Sequence, residues 1–430
     1  MKRNILNFNF MDMKAANIPL LIMFFSGIMI LSFCKKEEQE KKNTNDFVPK
    51  YTIAQTISDE AQRNTMAFDA LGFMTGNLGS QTFLPPGKVA DYSGFQYLRD
   101  NDPTGLGHNT SFVTIIAFNI LNILDEVQIQ MFVDAANEQI TLINEYAYKR
   151  FPLCKAFRRL IDGDLPAGKT GLDPDVVKAF SAELYRIDGE ISYKRAQLFG
   201  QVISSLSGQQ IAELNALKEL NGVGNWNNSL ANPLDGMQLE KDVNVAVMTY
   251  ASEIYAWYAG SVEADVYFCP ERQGTYFGSF YLKDWPAMGN PNYTINEQLT
   301  ASAGQDFFKI LTDEQSNLIN GIVNSQQASL LALVDVREEI SAELRKFLQQ
   351  TTPAESIVLS LSEDYGRYDG EIIYLYASCF SQVYNSLSQQ QKDQLESLIN
   401  DLGYIDPTGA FLYSQPISMP EIENTDYFFK

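Results

Sequence analysis

The chain has 430 residues, enough for two or three domains. Its 45% hydrophobic and 20% charged content is that of a folded globular protein rather than a disordered one. With 53 acidic against 32 basic residues, the formal charge of −21 repels phosphate backbones and anionic headgroups and argues against nucleic acid as a partner, while basic or unfolded cationic proteins stay open.

The N-terminus has the layout of a secretion signal. Lys2, Arg3 and Lys14 supply a basic region, and Ile18 to Phe33 form an apolar run of 16 residues, shorter than the ~20 a membrane-spanning helix needs. The run ends in Leu31-Ser32-Phe33-Cys34, which resembles the lipobox of bacterial lipoproteins. That resemblance implies a signal peptide over 1–34, a lipid on Cys34, and an exported protein held on the periplasmic or outer-surface face of a bacterial membrane. The alternative is a plain N-terminal anchor with an incidental cysteine. Residues 35–50 are charged and nearly free of apolar side chains, as in a flexible tether. Cys154, Cys269 and Cys379 form no CxxC pair and are odd in number, so buried thiols are expected and any pairing stays open.

The rest of the chain repeats itself. At an offset of 187, Leu124, Gln128, Gln139, Arg150 and Arg158 fall on Leu311, Gln315, Gln326, Arg337 and Arg345. Extra residues around Gly163–Gly171 change the offset to 181, where Asp188-Gly189-Glu190-Ile191 falls on Asp369-Gly370-Glu371-Ile372 and Ser205-Leu206-Ser207 on Ser386-Leu387-Ser388. Upstream, at 184, Gly76, Pro86, Gly94 and Tyr97-Leu98 fall on Gly260, Pro270, Gly278 and Tyr281-Leu282. The copies span 51–225 and 235–405, joined by a linker at 226–234 and followed by an irregular tail at 406–430.

Each copy reads as helical. An opening helix is expected near 57–78 and again near 243–264. Leu318, Ile322, Gln326, Leu330, Val334, Arg337, Ile340, Leu344 and Phe347 step by three or four along one long helix, and Pro152 should kink or break its first-copy equivalent. Asp173-Pro174 and Thr352-Pro353 each read as an N-cap followed by proline at the first helical position. Gly222 and Gly403 read as C-cap glycines. Glycine inside Asp-Gly-Glu costs about 1 kcal/mol against alanine, so Gly189 and Gly370 mark the close approach of a neighbouring helix.

Leu311-Thr312-Asp313-Glu314-Gln315 resembles the LTxxQ motif of the Spy and CpxP family of periplasmic helical chaperones and stress regulators. Looser versions begin at Leu124, Leu206 and Leu387, two per copy, 82 and 76 residues apart. The resemblance covers about 100 residues of each copy and implies a long helical hairpin with chaperone-like or stress-related activity. The same residues also fit capping boxes, in which Asp125/Gln128, Ser207/Gln210, Thr312/Gln315 and Ser388/Gln391 satisfy orphan amides at helix starts.

Asp188 and Glu190 are two apart on a helix and face different ways, so they cannot form a paired-carboxylate site alone, and a carboxylate metal or acid/base site is the lesser reading beside structural ion pairing. Arg150, Arg158, Arg337 and Arg345 interrupt or border apolar stripes, and their expected partners are Asp188, Glu190, Asp369 and Glu371 across each hairpin, in structural ion pairs. His108 is the one histidine of the chain, aligned with Asn292, which rules out a His-cluster metal site. No P-loop, GxGxxG or CxxCH appears. The Gly-, Pro- and Tyr-rich stretches at 83–110 and 267–294 are either binding loops, through Tyr97, Arg99, Asp100, His108, Tyr281, Lys283 and Asp284, or a lid on the helical bundle.

The expected protein is therefore all-α, a tandem duplication of a long helical-hairpin unit with extra N-terminal helices and irregular loops. The expected function is a non-enzymatic envelope lipoprotein that binds proteins or peptides, with no cofactor, no metal and no catalytic residue. The competing reading is a ligand-binding receptor or enzyme built on the two loops.

Overall fold

Helices carry nearly all of the regular structure, as the three- and four-residue spacing of apolar side chains requires. The computed structural model describes residues 63, 66, 67, 70, 71, 73–75, 111–149, 151–220, 225–259, 297–401, 410–412, 415–417, 421–422 and 424–430. The first half contains helical residues between 63 and 75 (α1), then α2 (Ser111–Ile123), α3 (Glu126–Lys149), α4 (Phe151–Asp162), α5 (Pro174–Ser205) and α6 (Gly208–Glu219). The second contains α7 (Lys241–Ala259), α8 (Glu297–Ile310), α9 (Asp313–Arg345) with a 3-10 turn at Lys346–Gln349, α10 (Glu355–Ser386) and α11 (Gln389–Asp401).

The most extensive helix pairing among the described residues joins the two halves. Helices α5 and α10, each 32 residues, cross where glycine lets their backbones approach. A Cβ at Gly189 would lie 2.7 Å from the Ser362 Cβ, and one at Gly370 would lie 2.9 Å from the Ser181 Cβ and 2.8 Å from the Lys178 Cα. Position 189 aligns with 370 and position 181 with 362, so these are the same contact made by exchanged partners. Between them, a Cβ on Gly366 would meet the Ala182 Cα and the Ser181 carbonyl, both at 2.7 Å. The rings of Tyr185 and Tyr365 stack beside it at 5.0 Å.

The opening helices cross over. Helix α7, which begins the second half, packs against α2 and α3 of the first. Its Trp257 ring lies 5.7 Å from Phe199 of α5, and its Tyr250 hydroxyl donates to Gln139 Oε1 of α3 at 3.3 Å. The aligned residues of α1 sit on the second half: Phe73 is 5.8 Å from Phe380 of α10, and Gln326 Nε2 of α9 reaches the Met66 sulfur at 3.8 Å. Each half thus lends its first helix to the core of the other, and Asn45–Lys430 forms a single compact unit.

Local details sharpen several sequence expectations. Asp173 caps α5 by accepting from the Asp175 amide, with Pro174 in the first turn. Thr352 does not cap α10: the helix starts at Glu355 behind Ala354, which makes no side-chain cap, and Pro353 instead offers its carbonyl to the Tyr193 hydroxyl at 3.0 Å. A proline two residues upstream cannot supply the capping geometry that Pro174 does at the first helical position. The tail is less irregular than expected. Ala410–Leu412 pairs antiparallel with Gln415–Ile417, and Asp426–Phe428 forms a 3-10 turn. Arg150, Gly222 and Gly403 lie outside the described residues, so the effect of Pro152 at the α3–α4 junction and the two glycine caps are not described. Cys154 is buried, and burial pushes the Cys379 thiol up to about 11.

Candidate functional site

The loop residues Tyr97, Arg99, Asp100, His108, Tyr281, Lys283 and Asp284 lie outside the described residues, as does the lipidation candidate Cys34. Among the described residues, no group of three or more His, Cys, Asp or Glu side chains is placed to hold a metal ion, and no helix is long and apolar enough to cross a membrane.

The four Leu-x-x-x-Gln segments all sit at helix starts. Ser207 and Thr312 form full capping boxes with Gln210 and Gln315. Asp125/Gln128 and Ser388/Gln391 make the same reciprocal bonds, each glutamine returning its Oε1 to the cap amide at 2.9 Å. The glutamines then do something a cap alone does not require. Gln210 Nε2 donates to Gln128 Oε1 at 2.6 Å and to the Ile123 carbonyl at 2.9 Å. In the second half, Gln391 Nε2 donates to Gln315 Oε1 at 2.8 Å and to the Ile310 carbonyl at 2.9 Å. Gln128 and Gln315 complete the set by donating to Ser205 Oγ at 2.9 Å and Ser386 Oγ at 3.0 Å, at the ends of the long helices. Four helix termini in each half are therefore joined through one amide pair. This explains why the motifs come two per copy at that spacing.

The residues expected to form ion pairs make the following contacts. Arg158 pairs with Asp162 one turn on, at 3.0 Å. Arg345 donates to the Trp257 carbonyl at 2.9 Å and lies 5.6 Å from the Trp257 ring centroid, which clamps α7 to the end of α9. Asp369 accepts from the Tyr185 hydroxyl at 2.6 Å across the α5–α10 crossing, and Asp188 accepts from Ser192 at 3.4 Å. Glu190 pairs with Lys194, and Glu371 accepts from Ser329. Arg150 and the side chain of Arg337 are outside the described residues.

Sequence reasoning missed a fully buried ion pair. Arg195 of α5 and Glu253 of α7 form an ion pair at 3.0 Å with both side chains 0% exposed. Burial pushes the neighbouring Tyr250 phenol far up, while Arg195 opposes and Glu253 adds to that shift. The signal was present: Arg195 falls in the stripe of Ile191, Leu198 and Val202, and Glu253 falls between Tyr250 and Trp257, all buried. A charge inside an apolar stripe needs a partner. The aligned positions are Tyr376 and Asp69, so this pair belongs to one half only.

A second feature particular to the first half is its elbow, the loop between α4 and α5 that holds the six extra residues around Gly163–Gly171. Residues 424–430 lie across it. Lys430 donates its amide to the Gly171 carbonyl at 2.9 Å and its carbonyl accepts from the Thr170 amide at 2.8 Å. The Phe428 carbonyl accepts from the Asp173 amide at 2.7 Å, and Leu172 and Phe429 form an antiparallel bridge. Phe428 is buried edge-on against Phe180 at 5.0 Å, and Phe429 is buried 5.0 Å beneath the Arg159 guanidinium. Arg159 also pairs with Asp426 at 2.7 Å and with Asp164 at 2.9 Å, and donates to Thr425 Oγ1 at 3.1 Å. The Arg159 hydrogen bond and that from Asn424 hold the Asp426 carboxyl below its usual range. Lys155 Nζ fixes the approach by donating to the Ile422 carbonyl at 3.0 Å. Backbone pairing, two buried aromatic rings and a charge clamp together hold the segment as it passes from the 3-10 turn at Asp426–Phe428 into an extended residue at Phe429.

Compared with family models, characterised proteins and solved structures, the chain finds no match.

Proposed function

We propose that this chain is a lipid-anchored protein of a bacterial envelope that binds proteins or peptides without catalysing a reaction on them, and that its helical body arose by duplication of a Spy-like hairpin unit. The observation that carries the reading is the use made of the polar residues shared by the two halves. The four motif glutamines are consumed in joining helix ends. What remains for function is surface and loop, which is how a binding scaffold is organised. The exchanged contacts at Gly189 and Gly370 support descent from one repeated unit. The acidity of the chain selects basic or unfolded cationic clients.

The test is light scattering from reduced, aggregating lysozyme, a basic client, in the presence of stoichiometric protein, with reduced α-lactalbumin as the acidic comparison. Suppression for the basic client and not the acidic one is expected; equal aggregation of lysozyme with and without the protein sinks the reading. The anchor is tested separately, by metabolic labelling with a palmitate analogue. Label is expected on the wild type and absent from Cys34→Ser, and label that survives the substitution refutes lipidation there.

A further inference from the structure

We infer that the first elbow is a binding site for short acidic–aromatic peptides, filled here by the chain's own residues 424–430; this rests on the peptide-binding reading above and, through Arg159, adds to its basic clients a local site of the opposite preference. The site has three parts. The Thr170 amide, the Gly171 carbonyl and the Asp173 amide pair with main chain and accept any sequence. Two pockets, one walled by Phe180 and one roofed by Arg159, each hold a phenylalanine ring with at most 2% exposure. Arg159, its side chain only 15% exposed, meets the carboxylate that precedes the aromatic pair. The recognised pattern is an acid, one free position, then two aromatics.

The free position is visible in the resident segment. Between Asp426 and Phe428, Tyr427 is 52% exposed. Asp426–Phe428 forms a 3-10 turn and the chain is extended at Phe429, so the main chain pairs with the elbow while Asp426, Phe428 and Phe429 supply the specificity. The elbow is not dictated by the repeated unit either. The second half closes the same turn without the extra residues, and its Phe347 packs against Tyr193 at 5.2 Å. The surplus residues of the first half thus serve to hold a segment that is more than 250 positions away in sequence, as the Lys155–Ile422 separation of 267 illustrates. An intramolecular occupant lowers the apparent affinity for an external peptide by the fraction of time the site is empty.

The test uses the full chain in detergent and a fluorescein-labelled peptide with the sequence of Glu421 to Lys430, read by fluorescence anisotropy. The double substitution Phe428→Ala/Phe429→Ala empties the pockets of their resident rings. It should bind the probe at least about tenfold more tightly than the wild type, since the competing occupant is gone. Adding Arg159→Ala should weaken that binding by roughly tenfold, because the carboxylate loses its charge-assisted bond. A peptide of scrambled sequence should not bind. If the double variant keeps its helical circular dichroism yet binds no better than the wild type, or binds the scrambled peptide equally, the inference is overturned. Should that variant fail to fold, a specific protease site placed between Ile417 and Glu421 of the otherwise wild-type chain supplies the second measurement. After cleavage, exchange of the severed segment for the probe supports the site, and a segment that never exchanges is a fixed part of the fold and overturns it. The lysozyme assay separates the two readings: suppression without probe binding removes this site alone, whereas probe binding without suppression removes the client-binding reading.

Discussion

The two elbows solve one problem with different chemistry. Each must turn the chain from one long helical segment into the next, and each delivers a helix that starts at the same aligned position, Pro174 or Glu355. The second does it tightly. A 3-10 turn ends at Gln350 in the left-handed region, with φ of 56°, and Phe347 leans on Gly200, whose missing Cβ would sit 2.8 Å from it. The first uses glycines at its left-handed positions, Gly163 and Gly168, and then needs a distant segment to cover it. The two halves thus keep their helices in register while the turn between them differs, self-sufficient in one and dependent on a distant segment in the other.

The same asymmetry runs through the core, and the largest expected effect tests it there. Arg195→Ala should destabilise by about 3–5 kcal/mol in chemical denaturation, because it removes a buried ion-pair partner of Glu253. Replacing both partners with apolar residues, Arg195→Met with Glu253→Leu, should recover most of that loss. In the other half, Tyr376→Phe at the aligned position should cost no more than about 1.5 kcal/mol, the net worth of a single hydrogen bond. Equal losses at the two positions would show that the halves are not specialised as described. Next in size is the helix crossing. Gly366→Ala, whose Cβ would press on backbone atoms of Ser181 and Ala182, should cost about 1–3 kcal/mol. Gly189→Ala should cost less, since it meets the Ser362 side chain and gains helix propensity.

How far these features were legible in advance depends on the range of the forces behind them. The helix starts at Asp125, Ser207 and Thr312 are local, because cap and glutamine lie three residues apart, and they stand where the sequence put them. The close approach at Gly189 and Gly370 was legible because glycine inside a helix has a steric reason. The crossing of α1 and α7 was not. An apolar face states that a helix is buried, and two near-identical grooves were available to each. Thr352-Pro353 misled because a proline near a helix start does not fix which residue is first. The elbow site lay beyond sequence reasoning, since Arg159 and Phe429 are joined only by the fold.

Two smaller effects bear on the elbows themselves. Gln350→Gly should stabilise the chain by about 1 kcal/mol in thermal or chemical denaturation, by relieving the left-handed strain that the first elbow avoids with glycine. No gain would mean that the Gln350 side chain compensates for the strain. The docked segment, in turn, should respond to acid. The carboxyl of Asp426 is lowered in the folded state, so its contribution to docking is complete above the ordinary value of 3.8 and is lost as pH falls through the lower folded value. Hydrogen exchange of residues 163–173 and 424–430, corrected for intrinsic rates, should therefore accelerate progressively below about pH 4. In Asp426→Asn this pH dependence should vanish, and its persistence would assign the effect to another group.

The crossed opening helices also constrain the order in which the molecule can be assembled. The groove on the first half that receives Tyr250 and Trp257 stays empty until residue 259 has left the ribosome, and Met66 waits for Gln326, 260 positions later. Neither half can finish before the other has begun. Vectorial, half-by-half maturation is thereby closed to this chain, and its rate-limiting step should involve contacts of high sequence separation, which form slowly. Until they form, two apolar grooves and two apolar helices are exposed at once, and a nascent chain in that state is as open to pairing with a neighbouring copy as with itself.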